Sequence, residues 1–189
     1  MTKQQLRKIY LEKRMNISSK EKLKSDDLML IQLQRLAFDD ARVLMNYFPM
    51  EEKNEPNTLL FSDYLRHAIP NLEIAFPKAD FTTNEMQAIL INEATVYQKN
   101  NYKITEPLSG KIVDEKDIDI MFVPLVICDS KGFRVGYGKG FYDKFLNRCR
   151  ENIIKIGFCY FAPIEEISDV QQFDIPLNYC ITPESVYEF

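Results

Sequence analysis

The chain has 189 residues, 46% of them hydrophobic and 28% charged, and 24 Lys+Arg against 28 Asp+Glu leave a net charge of −4. That is an ordinary globular mixture at the length of one domain, so a disordered or fibrous chain is excluded. The acidic balance lacks the basic footprint of a general nucleic-acid binder, and no apolar stretch approaches the roughly 20 residues that a membrane span needs.

No apolar run follows Met1-Thr2-Lys3, so no secretory leader is expected. Residues Lys3 to Met15 read as a helix, with Leu6, Ile9, Tyr10 and Lys13 on one side. Ser18 stands three before Glu21, a capping box that starts a second helix running to about Leu36. Arg42 to Phe48 reads as a buried strand ended by Pro49, Thr58 to Ala68 as a helix, and Leu72 to Phe76 as a strand ended by Pro77. Met86 to Gln98 reads as two short strands or a hairpin. Ile118 to Val123 is the clearest central strand, followed by a helix from Phe141 to Cys149 and a strand from Ile153 to Cys159. Strands alternating with helices predict a mostly parallel α/β sheet covered on both faces, in a single domain over residues 1–189.

Cysteines Cys128, Cys149, Cys159 and Cys180 form no Cys-x-x-Cys pair, and His67 is the single histidine, so a zinc site is not expected. Free, mostly buried thiols in a cytoplasmic protein are the expectation.

The chemistry concentrates in Asp129–Asp143, which carries four of the six glycines. Glycine admits positive φ and close backbone approach, and a helix start offers free N–H groups to a phosphate. Arg134 and Lys139 add charge to the same loop; a ligand-free surface turn is the plainer alternative. The loop is not a Walker A motif, because Gly138-Lys139 is followed by Gly140 where Ser or Thr belongs. Nor is it a dinucleotide fingerprint, because counting from Gly136 or Gly138 puts Phe141 or Asp143 at the last glycine position. Asp143, in the first turn of the following helix, reads equally as a partner of the helix dipole or as a Mg2+ ligand. Lys3 and Arg7 form an i, i+4 cation pair, either a solvated face or a clamp for an anion held elsewhere. Glu55, after the first strand, is either an exposed loop carboxylate or an acceptor for an amino heterocycle.

These residues together resemble the 5-formyltetrahydrofolate cyclo-ligase (methenyltetrahydrofolate synthetase) family over nearly the whole chain. The matching pieces are Lys3 with Arg7, Glu55-Pro-Asn-Thr58, Glu106-Pro107, Asp119-Ile-Met-Phe-Val-Pro124, Arg134-Val-Gly-Tyr-Gly-Lys-Gly-Phe-Tyr-Asp143 and Asp174-Ile-Pro-Leu. The resemblance implies a three-layer α/β/α sandwich of Rossmann-like kind. It implies ATP-dependent cyclisation of 5-formyltetrahydrofolate to 5,10-methenyltetrahydrofolate through a phosphorylated formyl group, with ADP and phosphate released, by a monomer. By carry-over, ATP would meet Lys3, Gln4, Gln5, Leu6 and Arg7, and also Arg134, Val135, Gly136, Tyr137, Gly138, Lys139, Gly140, Phe141 and Tyr142. Lys139, Arg134 and Tyr142 would act in the chemistry. Met50, Glu55, Gly138, Lys139, Gly140 and Phe141 would meet the folate, and Asp143 and Asp174 would hold Mg2+. The chain departs from the family pattern at Tyr137, where an Arg is usual, and at Phe141, where a Tyr is usual. A non-catalytic folate- or nucleotide-binding protein, or an ATP-dependent ligase of another substrate, are the alternatives.

Overall fold

Three helix starts carry their own caps. Thr2 and Gln5 bond reciprocally at the head of α1 (Lys3–Met15), and Ser18 and Glu21 do the same for α2 (Ser19–Leu33). The Asn57 side chain accepts from Leu60 N–H to start α3 (Thr58–Ala68). Each cap satisfies amides that the first helical turn leaves open. A computed structural model of the protein describes residues 1–38 and 40–189. In it the strands are β1 (Val43–Met45), β2 (Glu73–Asp80), β3 (Glu85–Leu90), β4 (Tyr97–Lys99), β5 (Thr105–Pro107), β6 (Ile112–Val113), β7 (Ile120–Phe122), β8 (Ile127–Cys128), β9 (Arg134–Val135), β10 (Ile154–Phe158), β11 (Tyr179–Ile181) and β12 (Val186–Glu188), with a short α4 (Phe141–Leu146).

Eight strands form one sheet in the order β12-β11-β10-β7-β1-β2-β3-β6. The run from β11 to β2 is parallel, and β12, β3 and β6 are antiparallel additions at its edges. Strand alternation sends Met45, Ala75 and Met121 to one face, where Leu6 of α1 and Phe145 and Leu146 of α4 cover them. Leu44, Ile74, Ile120 and Phe122 go to the other, under Met29 and Leu33 of α2 and Phe61 and Leu65 of α3. The result is the mostly parallel sheet covered on both faces that the alternating pattern predicts, and the α/β/α sandwich that the resemblance implies. Phe61 stacks on Phe158 at 4.2 Å, and Phe122 meets Phe158 edge-on at 4.9 Å. These rings fasten α3 to β7 and β10, each burial contributing about 1.5–3 kcal/mol.

Several boundaries differ from the sequence reading, each for a local reason. β1 stops at Met45 because the Asn46 side chain takes over the backbone: its Oδ1 accepts Tyr47 N–H at 2.7 Å, and its Nδ2 donates to Thr58 O and Ser62 Oγ. β2 runs through Pro77 to Asp80. Asn46 N–H donates to Ala75 O, so the nitrogen of Pro77, two residues on, faces the same side beyond the end of β1, where no ladder bond is lost. β3 and β4 do not pair with each other; β3 joins the large sheet, and β4 pairs with β5. α2 ends at Leu33 and α4 at Leu146, both short of the expected bounds.

The β8–β9 ribbon delivers the glycine-rich segment. Its turn is built on Asp129, fully buried, whose Oδ1 accepts from Lys131 and Phe133 N–H at 3.0 Å each and whose Oδ2 accepts from Ile167 N–H at 3.2 Å. Gly132 closes the turn at φ +84°, and a Cβ there would lie 2.9 Å from Leu177 O. The Leu177 N–H also donates to Gly132 O at 2.9 Å, so that strand of backbone cannot retreat. Gly132→Ala is therefore expected to destabilise by about 2–4 kcal/mol, the sum of left-handed strain and overpacking. Thermal melts should show Tm lower by roughly 5–15 °C; an unchanged Tm would mean that the ribbon adjusts freely.

Candidate active site

The chain leaves β1 for β2 on one side and returns as β7 on the other. The strand order reverses between β1 and β7, and in open α/β sheets ligands bind outside the carboxyl ends of the strands at such a point. A cavity of about 390 Å3 opens there, within the size range of small-molecule sites. Its walls include Tyr47, Phe48, Met50 and Glu55 after β1, Pro124 after β7, Arg134 and Gly136 to Asp143, Lys3 and Arg7 from α1, and Asp174, together with Glu106, Phe81 and Gln171.

One end of the cavity is built for an anion. Gly138 and Gly140 take φ of +85° and +72°, and among the described residues no acceptor meets the N–H groups of Gly138, Lys139 or Gly140. Successive free amides of this kind form a concavity that suits anionic oxygens. Arg7 fastens the loop: its Nε donates to Gly136 O at 2.6 Å, and its guanidinium lies 3.4 Å from where a Cβ on Gly138 would stand. The two terminal nitrogens of Arg7 make no hydrogen bond among the described residues. Lys139 is exposed, has no counter-ion among them, and rests over the Tyr102 ring at 5.8 Å. α4 itself is six residues long, so the anion site rests on the loop amides and cations, with little from a helix dipole.

The other cations of the cavity are paired. Lys3 Nζ meets Asp174 Oδ2, and Arg134 Nη2 meets Asp143 Oδ1 at 3.0 Å. Arg134 Nη1 also donates to Ile175 O at 2.6 Å, and burial pulls its pKa down while Asp143 pushes back. Tyr142 and Tyr47 present hydroxyls without hydrogen-bond partners among the described residues, and burial holds both phenols well above their usual pKa.

Within hydrogen-bond reach of Tyr137 in the glycine loop sits a buried polar group. Glu55 is 2% exposed; its Oε2 accepts Met50 N–H at 2.7 Å, and its Oε1 accepts the Tyr137 hydroxyl. Arg14, equally buried, donates to Lys53 O at 2.8 Å, Leu125 O at 3.1 Å and the Tyr137 hydroxyl oxygen at 2.5 Å. Burial raises the pKa of Glu55, against the opposing pull of Arg14 and the Met50 amide.

Among the described residues no cluster of three or more His, Cys, Asp or Glu is placed to hold a metal. Asp143 and Asp174 nevertheless each keep one carboxylate oxygen without a hydrogen bond on the cavity wall. That donor set fits Mg2+, which takes one or two carboxylates and completes its shell with water and substrate phosphate.

The structure brings most of the expected residues to this cavity: Lys3, Arg7, Met50, Glu55, Asp143, Asp174, and Arg134 with Gly136 through Tyr142. It does not bring Gln4, Gln5, Leu6 or Val135 there. Helical spacing puts residues three and seven on the cavity side; Gln5 is used in the α1 cap, Gln4 is exposed, and Leu6 points into the core. Val135 alternates away from Arg134 into the same core. Glu55 is deeply buried, which overturns its reading as an exposed loop carboxylate. The sequence reading missed Arg14, whose signal is a third basic residue seven after Arg7 on the same helix face. It also missed Tyr47, Phe48 and Phe81, which come together only through the sheet.

The sequence profile described as the 5-formyltetrahydrofolate cyclo-ligase family matches residues 1–181. The chain is 29% identical over 188 residues to the 5-formyltetrahydrofolate cyclo-ligase of Mycoplasma pneumoniae, covering 97% of this chain and 100% of that one. To the Haemophilus influenzae protein of the same name it is 28% identical over 140 residues, 72% of this chain and 73% of that one. The solved structure of Aquifex aeolicus 5,10-methenyltetrahydrofolate synthetase superposes with a TM-score of 0.82 at 30% identity, over 100% of this chain and 93% of the other. In fold, in cavity-lining motif and in sequence along almost its whole length, the chain belongs to the 5-formyltetrahydrofolate cyclo-ligase family.

Proposed function

We propose that this protein is an ATP-dependent 5-formyltetrahydrofolate cyclo-ligase, forming 5,10-methenyltetrahydrofolate, ADP and phosphate. The observation that carries this reading is one cavity lined both by a glycine loop with free amides and cations and by a buried, hydrogen-bonded carboxylate, Glu55. The formyl group on N5 is an amide whose oxygen is a poor leaving group. In this reading that oxygen attacks the γ-phosphorus of ATP, and the bond to the bridging oxygen breaks to release ADP. N10 then attacks the formyl carbon, the C–O bond breaks, phosphate departs with the oxygen, and N10 loses its proton to give the cationic amidine product.

Phosphoryl transfer asks a protein mainly for positioning and for cations around the transferred group. Lys139, without a counter-ion among the described residues, and the terminal nitrogens of Arg7 would bind phosphate oxygens beside the free amides of Gly138 to Gly140. Arg134 and Tyr142 would face the reacting phosphoryl group from the cavity wall. Asp143 and Asp174 would hold Mg2+, which supplies charge neutralisation on the phosphates when bound. Met50, the glycine loop and Phe141 would flank the folate, and Glu55 would accept the amino and ring N–H donors of the pterin. Among the described residues no helix is long and apolar enough to cross a membrane. All four cysteines are free, which suits the cytoplasmic monomer that this reading includes.

Three measurements test the assignments. Lys139→Ala is expected to raise KM for ATP or lower kcat by about tenfold, equivalent to roughly 1.4 kcal/mol of transition-state binding; unchanged kinetics in the folded variant would remove Lys139 from the site. Asp174→Asn should move the MgCl2 concentration for half-maximal activity upward by about tenfold. Asp143→Asn should do the same and also lower Tm, because it leaves Arg134 buried beside a neutral group. An unaltered Mg2+ titration in both variants would send the metal elsewhere.

The third reads Glu55. An acid whose pKa is raised takes up its proton at a higher pH than an ordinary Glu. Folate affinity that depends on the carboxylate is therefore full above that raised pKa and lost as pH falls through it. Glu55→Gln should weaken 5-formyltetrahydrofolate binding by about ten- to a hundredfold near neutrality, flatten the acid limb, and leave ATP-analogue binding within about twofold. Equal losses for both ligands would discard the pterin contact.

A further inference from the structure

The hydroxyl of Tyr137 stands between two buried charges of opposite sign. Arg14 approaches Glu55 no closer than 4.0 Å, beyond hydrogen-bond reach, and its Nη2 proton goes to the Tyr137 oxygen at 2.5 Å. A guanidinium can only donate. The Tyr137 oxygen must therefore accept from Arg14, which leaves its own proton for Glu55 Oε1. With Glu55 ionised, the direction of this short chain, Arg14 to Tyr137 to Glu55, follows from donor and acceptor capacity.

The chain also fixes geometry. With Met50 N–H on Oε2 and the tyrosine on Oε1, the Glu55 carboxylate is held from two sides, and each oxygen keeps a further lone pair. Arg14 is in turn tied to Lys53 O and Leu125 O, so the anchor reaches back to the loops after β1 and β7. Tyr137 sits in the glycine loop, between Gly136 and Gly138. Its ring lies 5.9 Å from the Arg14 guanidinium and 5.6 Å from Lys53 Nζ. The glycine loop and the Glu55 carboxylate thus meet through one hydrogen-bonded group.

We propose that Tyr137 is a positioning residue for substrate: its hydroxyl relays the charge of Arg14 to Glu55 and holds that carboxylate ionised and aimed into the cavity for the folate. This rests on the reading of Glu55 as the pterin acceptor and assigns to Tyr137 a role distinct from phosphate contact. The charged and titratable groups that face Glu55 are Arg14 from α1, Lys53 from its own turn, Tyr47 after β1, Tyr137 from the glycine loop, Tyr142 from α4 and Tyr160 after β10. Only Tyr137 among them donates a side-chain hydrogen bond to it.

The test is a binding titration across pH 5 to 8 with 5-formyltetrahydrofolate and, separately, with a non-hydrolysable ATP analogue. Tyr137→Phe removes only the hydroxyl. Folate affinity near neutrality is expected to fall by about tenfold with ATP-analogue affinity within about twofold, and the acid limb of folate binding should move to higher pH. In the Glu55→Gln background the same change should add little, because the bond is already broken. If Tyr137→Phe does not fold, 3-fluorotyrosine at position 137 keeps the ring and makes the hydroxyl a stronger donor; the acid limb should then move to lower pH. Equal losses for both ligands, an unmoved acid limb, or full additivity with Glu55→Gln overturns the proposal. Wild-type protein that does not bind 5-formyltetrahydrofolate fails the enzyme reading itself. Wild-type binding that needs Glu55 but ignores the Tyr137 hydroxyl fails only the positioning role.

Discussion

A guanidinium removed from water is costly unless each of its nitrogens finds an acceptor. Arg14, 2% exposed, meets that condition with acceptors that come from three separate loops: Lys53 O after β1, Leu125 O after β7 and the Tyr137 hydroxyl in the glycine segment. Those three loops form the walls at the carboxyl edge of the sheet. The need to satisfy one buried cation therefore holds the cavity in shape. Asn54 adds to the same knot, its Nδ2 donating to Arg14 O at 2.8 Å and Ile17 O at 3.0 Å.

The same economy of charge runs around the rest of the cavity. Lys3 neutralises Asp174, and Arg134 neutralises Asp143, so neither carboxylate stands alone before a ligand arrives. Each pair leaves one carboxylate oxygen without a hydrogen bond among the described residues. Lys139 differs. It is exposed, without a counter-ion among the described residues, and borne on a segment with two left-handed glycines. A cation that the fold leaves unneutralised lowers the electrostatic cost of bringing in a polyanion. Pairing sets Arg134, held by Asp143, apart from Lys139, a distinction that composition and spacing do not make.

Elements were most legible where the periodic signal was strong and the cap chemistry local. α1 and α3 match the sequence bounds because Thr2 with Gln5 and the Asn57 side chain mark their starts. β7 was read as central from its unbroken apolar run, and it lies between β1 and β10 with every residue buried. Legibility failed where a side chain or a distant strand intervened. Asn46 ended β1 through contacts with Thr58 and Ser62, and Pro77 stayed in β2 because β1 had already stopped. Nor could alternation in residues 86–98 say that β3 and β4 pair in different sheets, since strand pairing is decided by which edges are open.

By itself the sequence determined the α/β alternation, the family, and the glycine loop with its two cations. These are properties of local spacing and of residue types whose conformational limits are intrinsic. The tertiary structure decided which cations are free, which carboxylates are buried, and which of the expected contacts face the cavity at all. Gln4, Gln5, Leu6 and Val135 lie beside cavity residues in the chain, yet helix and strand periodicity turns them to the cap, the solvent or the core. Arg14, Glu55 and Tyr137 are far apart in the chain and meet only because β1 and β7 are neighbours and part at the switch point. Ionisation and hydrogen bonding depend on distance in space and on exclusion of water, and both are set by packing rather than by position along the chain.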